Sequence, residues 1–246
     1  MKTKQLVVAL VIFVTVFNFV TSQNVQKEPK FYNWFDNQIN RYNTSLFNGI
    51  EYVELYRTIN ERHKFFESSD FLTGSIVYDG QFYDEVPLKY DLNVDELLFN
   101  VGYNYEYPTL ILFKSKIESF QLGKSNFVQI NNSESTIEMN GFYELLVVKQ
   151  PITLLKKNKK KRFKRIKGNT VYYEFDNDNS YFIAYQDDYY EVKSKSDVIR
   201  IWPDKKQYIN EYYNPALRKT NEDYFWTDFF EKLADTFITE KQGNKL

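Results

Sequence analysis

Nine of the twelve residues from Lys156 to Lys167 are Lys or Arg, and none is acidic. No other stretch of the chain is as one-sided. The chain after its first 22 residues carries 30 basic and 33 acidic side chains, so outside this run 21 basic residues face 33 acidic ones. Such an asymmetry has two physical readings. The segment is a long solvated hairpin, Leu154–Lys160 against Phe163–Thr170, whose lysines keep an edge strand in water and unpaired. Or it is a cationic finger that meets an anionic envelope component, a lipid headgroup or a polysaccharide, or the acidic surface of another envelope protein. On the second reading Lys157, Lys160, Lys161, Arg162, Lys164 and Arg165 are the contact residues.

The other chemistry-bearing patterns fall short of a site. Gly123-Lys124-Ser125 has the end of a phosphate-binding loop, but the glycine required five positions earlier is Glu118, so a turn is expected. Asp176-Asn177-Asp178-Asn179-Ser180 starts like a calcium loop, yet its sixth and twelfth positions are Tyr181 and Asp187 where that loop needs Gly and Glu. It reads as a hairpin turn. His63 is the only histidine and there is no cysteine. That leaves no thiolate metal site, no disulfide and no cysteine nucleophile. A Ser–His pair would have to use His63, and no Gly-x-Ser-x-Gly elbow accompanies it. Asp and Glu number 33, so a catalytic carboxylate pair is conceivable without any pair being singled out. The sequence therefore names no catalytic residue, no metal ligand and no cofactor.

The elements that must carry the cationic run are mostly strands. The 21 Tyr and 22 Phe residues, with only 8 Gly and 6 Pro, favour sheet over disorder. Asp79-Gly80 between Gly74–Tyr78 and Gln81–Tyr83 is a hairpin signal. Further strands are expected at Val86–Leu92, Glu96–Val101, Leu110–Phe113, Ile117–Leu122, Phe127–Ile130, Phe142–Val148 and Ile152–Leu155. Pro87 should stand at a strand start or on an edge. A three-stranded meander is expected over Thr170–Phe175, Tyr181–Tyr185 and Tyr189–Lys193. After that, Ser196-Asp197 can cap a short helix, Pro203 opens the next and Pro215 ends it. Asn221 caps a last helix, whose Trp226, Phe229, Phe230, Leu233 and Phe237 share one face. The fold class is thus α+β, a mostly antiparallel β-sheet (sandwich or partial barrel) followed by two or three C-terminal helices. Residues 23–246 form a single β-rich domain with a helical segment at 196–240, and a further helix is expected over Phe31–Tyr42.

Residues 1–22 have the tripartite form of a secretory signal. Lys2 and Lys4 precede an apolar run from Leu6 to Phe19, and Val20-Thr21-Ser22 supplies residues tolerated at a cleavage site before Gln23. The run is shorter than the roughly 20 residues that span a bilayer. The expectation is a periplasmic or secreted protein with no integral span once the signal is removed, in a compartment that argues against nucleic acid as partner.

Several segments together, Asn48–Tyr52, Gly74–Gln81, Val86–Asp91, Gly141–Glu144 and Tyr189–Lys195, resemble a family of uncharacterised exported proteins of Bacteroidota. The resemblance implies an envelope protein and carries over no functional residue. The expected function is an envelope binding or accessory protein. An assembly factor for another envelope protein and a carboxylate hydrolase stand behind it.

Overall fold

The computed structural model describes residues 44–100, 108–133 and 137–243. The expected signal and the helix at Phe31–Tyr42 lie outside them. Thirteen strands follow one another: β1 (Gly49–Glu51), β2 (Leu72–Tyr78), β3 (Gln81–Asp91), β4 (Glu96–Asn100), β5 (Thr109–Leu112), β6 (Ile117–Leu122), β7 (Ser125–Asn132), β8 (Met139–Lys149), β9 (Ile152–Lys157), β10 (Lys160–Lys167), β11 (Thr170–Asn177), β12 (Ser180–Tyr185) and β13 (Asp188–Glu191). Eleven of them form one antiparallel sheet in the order β1-β5-β4-β3-β2-β6-β7-β8-β9-β12-β13, and β10 and β11 form a separate two-stranded sheet.

Local chemistry sets the hairpins. Asp79 and Gly80 hold φ of 53° and 75°, the mirror-image turn whose twist matches its strands, and Tyr78 pairs with Gln81 across it. Gly123, at φ 57°, turns β6 into β7 with Leu122 opposite Ser125, which makes Gly123-Lys124 the turn expected of it. Between β2 and β3 the register slips from Gly74↔Val86 to Ile76↔Tyr83. Two residues of β3, Asp84 and Glu85, therefore oppose Ser75, a bulge that adds twist. Pro87 departs from expectation, because it lies inside β3, opposite Thr73. The described ladder to β4 begins one residue later, at Leu88↔Phe99, so on that side the ring stands just ahead of the pairing.

The large sheet curls. The Tyr90 ring on β3 lies 5.4 Å from Phe127 on β7 and 5.8 Å from Phe142 on β8. β8 is the fourth neighbour of β3 in the sheet, and flat strands at about 4.8 Å spacing would keep them about 19 Å apart. Strong coiling brings the inner faces together around Phe66, Tyr90, Phe120, Phe127 and Phe142. The result is a partial barrel that does not close.

The C-terminal end of the sheet is covered differently. Four helices follow β13: α1 (Lys195–Ile201), α2 (Lys206–Tyr212), α3 (Pro215–Thr220) and α4 (Glu222–Gly243). Pro215 both ends α2 and occupies the first turn of α3, with the Asn214 side chain accepting from the Ala216 and Leu217 N–H groups. That is why the helical segment divides more finely than the two or three helices expected. The cap of α1 is Ser194, whose Oγ accepts from the Asp197 N–H, while Asp197 accepts from the Lys193 N–H. The boundary thus falls ahead of the expected Ser196. The Asn221 side chain accepts from the Tyr224 N–H at 3.1 Å, as a helix cap should. Trp226, Phe229, Phe230 and Leu233 of α4 pack on Val147, Leu154, Tyr181 and Ile183 of the sheet.

The expected meander is broken in one place. β11 does not pair with β12. Instead β12 lies against β9, with Ser180 opposite Lys157 and Phe182 opposite Leu155. Tyr181, Phe182 and Ile183 are all buried, so both faces of β12 need cover and the strand belongs inside the sheet. β10 is mostly exposed and cannot take that place. The chain therefore leaves the sheet after β9, makes the β10–β11 hairpin and returns. Asp176–Asn179 is a crossing between sheets, not a hairpin turn.

Candidate functional site

The cationic run splits between the sheet and this hairpin. β10 pairs with β11 from Lys160↔Asn177 to Lys167↔Thr170, around a turn at Gly168-Asn169. This register replaces the expected pairing of Leu154–Lys160 with Phe163–Thr170, because Leu154 and Leu155 are buried on β9. Side-chain alternation gives the hairpin two faces. One carries Lys160, Arg162, Lys164 and Ile166 opposite Asn177, Phe175, Tyr173 and Val171. The other carries Lys161, Phe163, Arg165 and Lys167 opposite Asp176, Glu174, Tyr172 and Thr170.

The base of the hairpin is stitched to the large sheet. The Lys160 N–H donates to the Leu92 carbonyl at 3.1 Å, and its Nζ donates to the His63 and Phe65 carbonyls at 2.8 and 2.9 Å. The Asn93 amide donates to the Lys160 carbonyl, and the Lys159 N–H donates to the Asn179 side chain. Residues 56–62 run along the free edge of β11. The Tyr173 and Phe175 N–H groups donate to the Arg57 and Arg62 carbonyls. Tyr56 packs its ring edge-on against Tyr173 at 5.0 Å. Arg62 bridges Glu174, at 2.7 Å, and Asp176. Glu174 also takes the Asn60 amide and the Arg165 Nε. Arg165, Asn60 and Arg62 hold its carboxyl below the usual range, with the Arg165 hydrogen bond the largest favourable influence.

The six residues singled out in the sequence divide accordingly. Lys157 ends β9, and its Nζ lies 2.8 Å from Asp95 Oδ2 and 3.1 Å from the Phe142 carbonyl. Lys160 is bonded as above. Burial pushes the ammonium pKa of both below its ordinary value. Arg165 is tied to Glu174, and the Arg162 guanidinium stacks on Tyr56, 4.0 Å from its centroid. Lys161 and Lys164 are exposed and make no ion pair among the described residues. Lys156, also in the run, is buried and pairs with Asp223 at the start of α4, 2.7 Å away.

Sequence reasoning missed Lys167, Ile166 and Val171. All three are exposed at the tip, Ile166 at 71% and Val171 at 41%. The Gly168-Asn169 dipeptide was the available signal, since Gly-Asn between two strand-like runs marks a two-residue hairpin. It also missed Tyr56 and Arg62, which are more than a hundred residues from their β11 partners and carry no local mark of that contact.

No family model, curated protein or solved structure matches the chain. The functional reading therefore rests on the geometry of the hairpin and on the sequence.

The remaining candidates are held internally. His63 Nδ1 accepts from the Phe65 N–H at 3.2 Å. Burial, and then the Lys160 charge, lower its pKa. Among the described residues no three His, Cys, Asp or Glu side chains gather as a metal site. Asp91, 1% exposed, is neutralised by Lys64 at 2.8 Å, and Glu174 and Asp176 by Arg62. Among the described residues the most exposed aromatic rings are Phe113, Tyr212 and Tyr224, of which Tyr212 stacks on Tyr208 at 4.4 Å. No described helix is long and apolar enough to cross a membrane.

Proposed function

We propose that this is an exported binding or accessory protein that engages an anionic partner of the cell envelope through the β10–β11 hairpin. The observation that carries this reading is the split of one cationic run. Lys156, Lys157 and Lys160 are spent on internal carboxylates and carbonyls, whereas Lys161, Lys164 and Lys167 project from an arm outside the large sheet. From Arg162 to Tyr173 there are four cations and no acidic residue. Arg165 is balanced by Glu174, and Lys164 and Lys167 make no ion pair among the described residues, so the outer part of the arm keeps a net positive field. The signal-like start and the resemblance to exported Bacteroidota proteins support a partner in the envelope or outside the cell.

An assembly role by strand addition is less well supported. The outermost strands of the large sheet, β1 and β13, have only 3 and 4 residues. The longer edge, β10, is rich in lysine, which disfavours pairing with another strand.

The test is retention on immobilised dextran sulfate. The parent should bind at low salt and elute as ionic strength shortens the reach of exposed charge to about 8 Å and less. The Lys161→Gln/Lys164→Gln/Lys167→Gln protein should pass through unretained. Equal retention of the two would refute the proposal. N-terminal sequencing of exported protein should begin at Gln23, and an intact Met1 would refute export by a cleaved signal.

A further inference from the structure

We infer that the anionic partner is a lipid bilayer surface, and that the hairpin enters its headgroup layer tip first, far enough to immerse Ile166 and Val171. This rests on the hairpin being the contact arm and goes on to specify what it meets. Ile166 and Val171 are cross-strand partners next to the turn, 71% and 41% exposed. This aliphatic pair near the outer end of a water-facing arm belongs to no buried cluster of the described fold, and only the Lys167–Thr170 pair and the Gly168-Asn169 turn stand farther from the stitched base. A soluble polyanion offers such a pair no apolar surface. A bilayer offers both an apolar layer and anionic charge.

The side chains behind the pair are ordered as an interface is ordered. Lys164 follows Ile166 on the same face, two residues back, or about 7 Å at strand rise. On the opposite face Arg165 stands one residue behind Ile166 and Lys167 one residue ahead of it, and Tyr173 and Tyr172 lie beside Lys164 and Arg165 on β11. With the aliphatic pair sunk the usual 5–10 Å of an interfacial element, the ammonium groups reach the phosphates on their flexible stems. The tyrosines lie at headgroup depth, where amphipathic rings are favoured. The acidic residues of the hairpin, Glu174 and Asp176, are at its base and paired with Arg62 and Arg165. They face the partner with no free charge. The anchoring of the base by residues 56–62 keeps the arm preorganised, so little order is lost on contact.

Three proteins separate the apolar contribution from the electrostatic one: the parent, Ile166→Ser/Val171→Ser, and Lys161→Gln/Lys164→Gln/Lys167→Gln. All the substituted side chains are exposed, so unchanged melting temperatures are expected and are measured first. The probes are vesicles of phosphatidylglycerol and phosphatidylcholine in equal parts, vesicles of phosphatidylcholine alone, and soluble dextran sulfate. The parent should bind the anionic vesicles, weaken with salt and leave neutral vesicles largely free. The serine variant should lose about tenfold or more on anionic vesicles while binding dextran sulfate like the parent. The glutamine variant should lose about fivefold per charge, roughly a hundredfold in all, and lose dextran sulfate as well. If the serine variant binds anionic vesicles as tightly as the parent, the lipid inference fails and the electrostatic arm stands. The lipid inference fails in the same way if the parent binds dextran sulfate but no vesicle, or if the serine changes abolish only self-association in sedimentation. If the glutamine variant binds both probes like the parent, the hairpin is not the contact arm and the underlying reading fails.

Discussion

Lys157 and Lys164 belong to one run of like residues, and the fold gives them opposite work. Lys157 and Lys114 share Asp95 Oδ2 at 2.8 and 2.9 Å, and the Tyr90 hydroxyl donates to Oδ1. Removing the Lys157 charge leaves the half-buried carboxylate with Lys114 as its one remaining cation. Lys157→Gln should therefore cost about 1–3 kcal/mol in urea denaturation, and Lys164→Gln should stay within about 0.5 kcal/mol. Equal effects would show that the two ammonium groups are equally free. Gly141 shields the same cluster. At φ 99° a Cβ there would lie 1.9 Å from Asp95 Oδ2 and 2.6 Å from Lys157 Nζ, so Gly141→Ala should destabilise by about 2 kcal/mol or more. A neutral outcome would mean the cluster can move aside. His63 provides a pH readout. Its folded pKa lies below the ordinary 6.5, so as pH falls the unfolded chain takes up the proton first. Stability conferred by the neutral ring is thus lost between the unfolded and folded values, and the loss levels off below both. His63→Gln should abolish that step, so the stability difference between parent and variant should shrink as pH falls from 7.5 to 5. A difference that does not vary with pH would contradict the assignment.

At the level of elements, α4 is held by a single aromatic face. Trp226 is fully buried, stacked on Phe230 at 5.4 Å and capped by the Arg218 guanidinium at 5.2 Å. Trp226→Ala should cost about 3–5 kcal/mol. Trp226→Phe should cost less than half of that. The indole N–H meets no acceptor among the described residues, so its loss removes a desolvation penalty that partly offsets the smaller ring. If the two variants were equally damaged, the N–H must find a partner. Lys156 couples the same helix to the sheet. It bridges to Asp223, whose other oxygen accepts from the Tyr181 hydroxyl at 2.6 Å. The hairpin is the contrasting element, since its outer half rests on no core and can change sequence with little effect on folding.

For the whole molecule, the described residues form two large cores along one sheet and a small third cluster of Met139, Tyr143, Leu155 and Phe182. The aromatic cluster inside the curl and the cluster under the helices meet at β8 and β9, which supply Phe142 to the first and Val147, Ile152 and Leu154 to the second. Neither core can open without disturbing β8, which supplies Phe142 to one and Val147 to the other. Unfolding should therefore be a single transition. In a Trp34→Phe background, tryptophan fluorescence reports Trp202 and Trp226 under the helices, and far-ultraviolet circular dichroism is dominated by the sheet. The two urea curves should coincide, and separated midpoints would show that the cores unfold independently.

What was legible in the sequence was whatever short range determines. Asp79-Gly80 and Gly123-Lys124 turn where their backbone preferences require. Period-two patterns mark the strands, and Trp226, Phe229, Phe230 and Leu233 fall on one side of a 3.6-residue repeat. The density of charge between Lys156 and Lys167 was equally plain. Its division of labour was not, because the partners lie far away in the chain: Asp95 is 62 residues from Lys157, and the His63 carbonyl is 97 from Lys160. Nor could periodicity tell that β11 would leave β12 to β9, since strand patterns state which faces are apolar and not which neighbour covers them. The sequence by itself determined an antiparallel β-sheet with trailing helices and a cationic segment. Only the tertiary structure decided which cations are consumed inside and which are presented on an arm, because that depends on where a curled sheet brings its distant carbonyls and carboxylates.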